Sequence, residues 1–204
     1  MKFSIIVPAH NVENYISKCL NSIQSQVFTD YECIVICDSC VDNTEKIART
    51  YPFIVESVNF TSAGLTRNVG LDIATGEYIL FLDADDWFLH EYVLTELSKK
   101  ISDEDILCYA FIWKSIGYSG AMSPKDILYP HVWNKCWKKS IIGDTRFIDN
   151  DVEDAIFHDE IMKKDPLISI WDMPFVYYNF LRTGSTSERL NRTITEAKEG
   201  WNIE

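Results

Sequence analysis

Asp83, Asp85 and Asp86 follow directly on the apolar run Tyr78-Ile79-Leu80-Phe81-Leu82. A run of this length and composition reads as a buried strand. Carboxylates at its carboxyl end need partners, because an unpaired charge is too costly to carry into a dry core. In open α/β sheets the ligand crevice lies at this end of the strands. Hard divalent cations favour carboxylate oxygens, and Mg²⁺ commonly takes one or two from protein and the rest from water and phosphates. The chemistry these residues could do is to hold a metal–diphosphate group at a sheet edge. The plainer reading is an acidic strand-to-helix turn in which Asp86 starts the next helix, since a single Asp-x-Asp matches often by chance.

Three further segments fall at strand ends or helix starts: Pro8-Ala9-His10-Asn11, Cys37-Asp38-Ser39-Cys40-Val41-Asp42 and Gly64-Leu65-Thr66-Arg67-Asn68-Val69-Gly70. Asp38 after a strand can accept a hydrogen bond from a nucleobase N–H. Arg67 can meet an anion, or pair with Asp38 or Asp42. His10 can stack on a base, or be a satisfied polar residue at a strand end. Cys37 and Cys40 have the spacing of a redox pair or half a zinc site. With no second Cys-x-x-Cys and no His pair at ligand spacing, two ordinary loop thiols is the simpler reading.

The elements that must position these residues alternate. Phe3–Val7, Glu32–Cys37, Phe53–Val58, Tyr78–Leu82 and Ile106–Trp113 read as strands. Glu13–Gln26 reads as a helix with Ile16, Cys19, Leu20 and Ile23 on one face. A helix is predicted from Asp42 to near Tyr51, another over Ala63–Ala74 and a fourth over Glu91–Ile101. In the third, Leu65, Val69, Ile73 and Ala74 make the apolar face, and Gly76 supplies a left-handed stop. The alternation implies βαβ units and a mostly parallel sheet. After Trp113 the rhythm breaks. Lys114–Pro130, with two glycines and two prolines, reads as irregular. Val132–Lys135 is a short strand, Asp149–Lys164 a helix, Phe175–Phe180 an aromatic strand, and Thr193–Glu204 a helix or a fraying end. The expected division is an alternating strand–helix half over 1–113 and an α+β half over 114–204 of one domain.

The totals narrow the function. The chain has 204 residues and a formal net charge of −12, which disfavours a nucleic-acid binder. An acidic protein that handles phosphates needs a metal or a local basic patch. No apolar run reaches the ~18–20 residues of a membrane span, and the apolar start is too short for a signal peptide. The chain therefore reads as cytoplasmic, with its six cysteines reduced.

Taken in order, these segments closely resemble the family 2 glycosyltransferases, which have the GT-A fold. The resemblance is carried by Ser4–Asn11, Asp38–Asp42, Ala63–Gly70 and Ala74–Trp87. It continues through Val132-Trp133-Asn134-Lys135 and Glu153-Asp154-Ala155-Ile156-Phe157. It implies an α/β, Rossmann-like, mostly parallel sheet flanked by helices, with a smaller α+β acceptor-side region. Asp38 matches the aspartate that contacts the nucleotide base. Pro8, His10, Asn11 and Arg67 fall among the substrate-binding positions. Asp85 matches the direct ligand of Mg²⁺ or Mn²⁺, with Asp83 beside it near the ribose. Asp154 matches the catalytic base of inverting members, and Trp133 and Lys135 lie near sugar or acceptor. Arg182 and Gly184–Ser187 resemble a segment that closes over the diphosphate. The chain departs from the family's Asp-Asp-Gly-Ser with Cys37-Asp38-Ser39-Cys40, losing an acid and a glycine that tolerates left-handed backbone.

The implied function is metal-dependent inverting transfer of a sugar from a nucleoside diphosphate donor, most simply a UDP-sugar. The acceptor would be a hydroxyl of a glycan or lipid-linked glycan, in surface polysaccharide assembly at the inner face of the membrane with peripheral membrane contact. The alternative is a catalytically impaired sugar-nucleotide-binding protein. A phosphatase of the haloacid-dehalogenase type would carry Asp-x-Asp on its first strand, and a phosphate-binding Gly-x-x-x-x-Gly-Lys loop is absent.

Overall fold

A computed structural model of the chain describes residues 1–115, 118–122 and 131–179. Its elements run β1 (Phe3–Ala9), α1 (Ile16–Gln24), β2 (Tyr31–Asp38), α2 (Thr44–Ala48), β3 (Ile54–Val58), α3 (Ala63–Ile73) and β4 (Tyr78–Phe81). They continue with β5 (Trp87–Phe88), α4 (Val93–Lys100), β6 (Ile106–Ser115), β7 (Tyr118–Met122), β8 (Lys135–Lys138), α5 (Lys139–Ile142), α6 (Glu153–Met162) and β9 (Ile168–Tyr178).

The described strands form one sheet in the order β3-β2-β1-β4-β8-β6-β9-β5, with β7 paired to β6. The expected parallel block is β3-β2-β1-β4. Beyond it the sheet is mixed, because β8 runs antiparallel to both β4 and β6 while β9 is parallel to β6. Alternation along β1 sends Ile5 and Val7 to one apolar layer under α1, and Ile6 to the other layer with Ile34, Ile79 and Phe81. The chain turns at the carboxyl ends of β1, β2 and β4, so all three loops open on one side of the sheet.

Helix α1 buries Ile16, Cys19, Leu20 and Ile23, as its spacing predicts. Of the predicted face of helix α3 only Ala74, at the C-cap, is buried. Leu65 and Val69 are partly covered and Ile73 is exposed, while Gly64, Thr66, Arg67, Gly70 and Leu71 point inward. The reason is distance. A Cβ on Gly70 would lie 2.4 Å from Ile6 Cγ2, so the helix seats its small residues directly on β1. Arg67 is thereby carried inside rather than outward.

Gly76 is not a left-handed cap; among the described glycines only Gly143 has positive φ. A Cβ at Gly76 would meet the Ser4 backbone nitrogen at 2.6 Å and the Phe3 carbonyl carbon at 2.7 Å. The residue is needed for close backbone approach. Asp86 precedes a two-residue strand, Trp87–Phe88, rather than starting a helix. Part of the stretch expected to be irregular is a hairpin, β6 pairing with β7 from Phe111–Met122 to Ser115–Tyr118. Strand β8 begins where Val132–Lys135 was expected to end. Strand β9 starts well before Phe175, and register shifts around Ala110 let it pass Pro174. The predicted helix over Thr193–Glu204 lies outside the described residues. Among the described residues no helix is long and apolar enough to cross a membrane.

Replacing Gly76 by Ala forces a methyl against fixed backbone. The expected cost is about 1–3 kcal/mol, read as a lower urea midpoint at unchanged slope.

Candidate functional site

A cleft of about 860 Å³ opens at the carboxyl ends of β1, β2 and β4 and is closed on its far side by the start of α6. Of the residues expected to act, Pro8, His10, Asn11 and Asp38 line one wall, and Arg67, Asp83 and Asp85 the floor. Trp133 and Asp154 line the opposite wall.

Arg67 sits at the centre, with 5% of its side chain exposed. It pairs with neither Asp38 nor Asp42. Its Nη2 donates to Asp83 Oδ1 at 2.9 Å, and its Nη1 to Glu153 Oε1 at 2.9 Å and Asp154 Oδ1 at 3.1 Å. Burial works against the guanidinium charge, but Asp154, Asp83 and Glu153 outweigh it. One cation thus gathers three carboxylates, two of them from α6, some 86 residues along the chain. Burial pushes the Asp154 carboxyl up to about 6; Asp83 and Glu153 push the same way and Arg67 opposes them. Asp154 stands in the first turn of α6, where the helix dipole favours a carboxylate, yet burial decides the outcome.

Asp38 is 3% exposed and its acceptor capacity is filled by the protein. Oδ1 accepts from the N–H groups of Phe60 and Thr61 at 2.8 and 2.9 Å and from Ser39 Oγ at 2.8 Å. Oδ2 accepts from Ser62 N–H at 3.0 Å and Thr66 Oγ1 at 2.8 Å. A carboxylate offers about four lone-pair sites. Burial alone would raise its carboxyl, but these donors outweigh it and hold it down at about 2. Asp38 is therefore the anchor of the 60–62 loop and the start of α3, a role its position did not reveal.

The neighbouring rim is pinned by a chain of side chains. His10 Nδ1 donates to the Asp38 carbonyl at 2.6 Å, and His10 Nε2 accepts from the Asn11 amide at 3.0 Å. Asn11 Oδ1 in turn accepts from Val41 N–H at 2.8 Å. The ring edges of His10 are satisfied while the residue remains exposed on the cleft. Ser39, where the resembling family has glycine, holds φ at +50°. Serine keeps the glycine-type conformation and bears its strain.

The opposite wall is aromatic. Trp133 stacks on Tyr178 with centroids 4.7 Å apart and on His131 at 5.2 Å. Lys135 does not reach the cleft; it is 1% exposed, and its Nζ donates to the His131 carbonyl and to Asn134 Oδ1. It supports the wall from behind. Arg182 and Gly184–Ser187 lie outside the described residues. Residues that sequence reasoning passed over are Glu153, whose signal was its place beside Asp154 at a helix start, and Tyr178, the last residue of β9. His131 carried no signal beyond its nearness to Trp133.

Residues 4–171 match the family described as Glycosyl transferase family 2, and the chain belongs to that family. It is 30% identical over 175 residues to Glycosyltransferase GlyA of Streptococcus pneumoniae, covering 83% of this chain and 24% of that protein. It is 39% identical over 99 residues to the poly(ribitol-phosphate) beta-N-acetylglucosaminyltransferase TarS of Staphylococcus aureus, covering 45% of this chain and 17% of that one. The chain spans a quarter or less of the length of these two relatives. Its fold is that of the TarS 1–349 crystal structure in complex with UDP-GlcNAc, with a TM-score of 0.82 at 25% identity, covering 100% of this chain and 68% of that one. The mannosyltransferase PcManGT of Pyrobaculum calidifontis, in complex with GDP-Man and Mn²⁺, shares the fold at a TM-score of 0.72 and 18% identity, covering 100% and 65%. The GT-A architecture, a mixed sheet with flanking helices, is thus established.

Asp38→Asn would turn an amide N–H toward backbone donors. A loss on the order of 3 kcal/mol is expected, because a buried network is broken at its charged member. The carboxyl is depressed in the folded state, so its contribution is full above pH ~4 and lost as pH falls toward about 2. Chemical denaturation of wild type and variant across that range should converge at the acid end.

Proposed function

We propose that the chain transfers a sugar, with inversion, from a nucleoside diphosphate donor to a hydroxyl of a glycan or lipid-linked glycan. The observation that carries this reading is Asp154: a half-buried carboxyl at about 6, on a cleft wall, tied through Arg67 to the Asp-x-Asp floor. A general base works best with a pKa near the working pH. Arg67 occupies Asp154 Oδ1, and among the described residues Oδ2 has only a long 3.5 Å contact from Val132 N–H. Oδ2 is the oxygen that takes the proton of the acceptor hydroxyl as that oxygen attacks the anomeric carbon. A single displacement with one base inverts that centre. The partly exposed rings of Tyr178 and His131, stacked on the buried Trp133, offer an apolar platform for a pyranose ring.

The floor fits a hard divalent cation, because the cleft-lining groups there are the carboxylates of Asp83 and Asp85 and one oxygen of Asp83 is already committed to Arg67. Among the described residues no set of three or more metal-ligating side chains is gathered, which suits an ion completed by diphosphate oxygens and water. Asp85, with Asp83 beside it, would hold Mg²⁺ or Mn²⁺, which as a Lewis acid stabilises charge growing on the leaving diphosphate. Residues 1–113 would bind the donor and 114–204 would supply base and acceptor contacts. A UDP-sugar is the donor best supported, since the TarS fold, at 25% identity, holds UDP-GlcNAc. Names of relatives that act on poly(ribitol-phosphate) support a surface polysaccharide as acceptor. The cytoplasmic face of a membrane is the setting in which such an acceptor would be met.

Titrating UDP, GDP and dTDP calorimetrically, with and without Mn²⁺, tests the donor site. UDP binding that needs Mn²⁺ and disappears in Asp85→Ala is expected; metal-independent binding in that variant would sink the assignment. For the base, Asp154→Asn should lower kcat roughly 10²–10⁴-fold with UDP binding little changed. Because the ionised carboxylate is the active form, the wild-type rate should fall about tenfold per pH unit below about 6. A wild-type profile flat through that region would remove Asp154 from the role. Nucleotide binding without turnover of any donor would favour the impaired binding protein instead.

A further inference from the structure

The proposed chemistry leaves Cys37 and Cys40 without a part. Cys37 is locked in the sheet: it is the register partner of Ala9 in the β1–β2 pairing and is 1% exposed. The chain then turns back through Ser39 at φ +50°. This brings Cys40 Sγ to 3.4 Å from the Ala9 carbonyl, alongside the strand position of Cys37. Cys40 is partly exposed, so one thiol faces solvent and its partner lies behind it. We propose that Cys37 and Cys40 form a reversible dithiol–disulfide couple whose state governs nucleotide binding in the adjoining cleft. The second half of this statement rests on the donor reading above; the first does not.

The thiols are unequal. The neighbouring Cys37 thiol, with the Asn11 N–H adding to it, brings the Cys40 thiol down to about 7 against its partial burial and Asp42. The Cys40 thiol and burial push Cys37 up. Cys40 is thus the attacking thiolate and Cys37 the resolving thiol. With glutathione disulfide as oxidant, the Cys40 thiolate attacks one sulfur, the S–S bond breaks and one glutathione thiolate leaves. Cys37 then loses its proton and attacks the Cys40 sulfur, expelling the second glutathione. Two protein thiols are oxidised by two electrons, and one glutathione disulfide becomes two glutathione thiols. The other four cysteines are buried, and burial pushes their thiols up, so they are inert by comparison.

Bond formation must bring the sulfurs to about 2.05 Å. Cys37 is held by the sheet, so Cys40 must move. The displacement takes Cys40 Sγ from the Ala9 carbonyl and pulls on the next residue, Val41, whose N–H is bonded to Asn11. Asn11 holds His10, and both line the cleft. Oxidation therefore disturbs the wall where a nucleotide would lie.

The test equilibrates the full chain in glutathione buffers, followed by alkylation and peptide mass mapping. A disulfide confined to Cys37–Cys40, reversed by dithiothreitol and absent in Cys40→Ser, is expected. UDP affinity with Mn²⁺ should be at least about fivefold weaker in the oxidised protein. In Cys40→Ser it should not respond to oxidant. Failure of the wild type to form this disulfide in excess glutathione disulfide overturns the couple. A mapped disulfide with equal UDP affinity in both states overturns the coupling. Reduced protein that binds no nucleoside diphosphate overturns the donor reading and the coupling with it, while the mapped disulfide still establishes the couple.

Discussion

One buried guanidinium holds the cleft together. Asp83 comes from the turn after β4, and Glu153 and Asp154 from the start of α6. Without Arg67 these acids would face each other across a poorly solvated floor, and either they would protonate or the two halves would separate. The cation is itself expensive to bury, and three partners are what make its burial tolerable. The excess of acid over base at this point leaves a negative floor, suited to a divalent ion. Burial, with the same excess adding to it, raises one of these carboxyls to about 6. The cohesion of the site and the raised carboxyl both arise at this one cluster.

The rim of the cleft is fixed by a different means. Asp38 binds backbone N–H groups of the 60–62 loop, and the His10–Asn11–Val41 chain ties the loop after β1 to the loop after β2. Val12 N–H donates to Thr44 Oγ1 and Glu13 N–H to Asp42 Oδ2, adding two more ties between the same loops. These bonds use short polar side chains with little entropy to lose, so the wall is largely formed before anything binds.

How much of this could be read from the residues depended on which force placed each one. Helix α1 was legible because its buried face is made of large apolar groups at helical spacing. Helix α3 was misleading because its inner face is chosen for smallness and charge, and Leu65 and Val69 invite the opposite orientation. The acids of the floor were legible from the strand they follow, whereas their shared partner Arg67 offered several pairings that only long-range packing could decide. Strand β9 was cut short in prediction because Pro174 argues against a continuous strand, and the bulge that accommodates it leaves no mark in composition. Gly76 was recognised as necessary but for the wrong cause, since a turn signal and a close backbone approach look alike in a sequence.

The ordering of β1 between β2 and β4, with α6 arriving well after them, has a consequence for how the protein comes into being. Within the parallel block β1 pairs with β2 across 28 residues and with β4 across 75, and pairings of longer range close more slowly. Arg67 and Asp83 are 16 residues apart and meet within that block. Arg67 and Asp154 are 87 residues apart, and meet only when α6 docks. During synthesis the nascent chain therefore passes through a stage in which Arg67 has met Asp83 but not Glu153 or Asp154. The carboxylate cluster is completed only after the sheet it rests on.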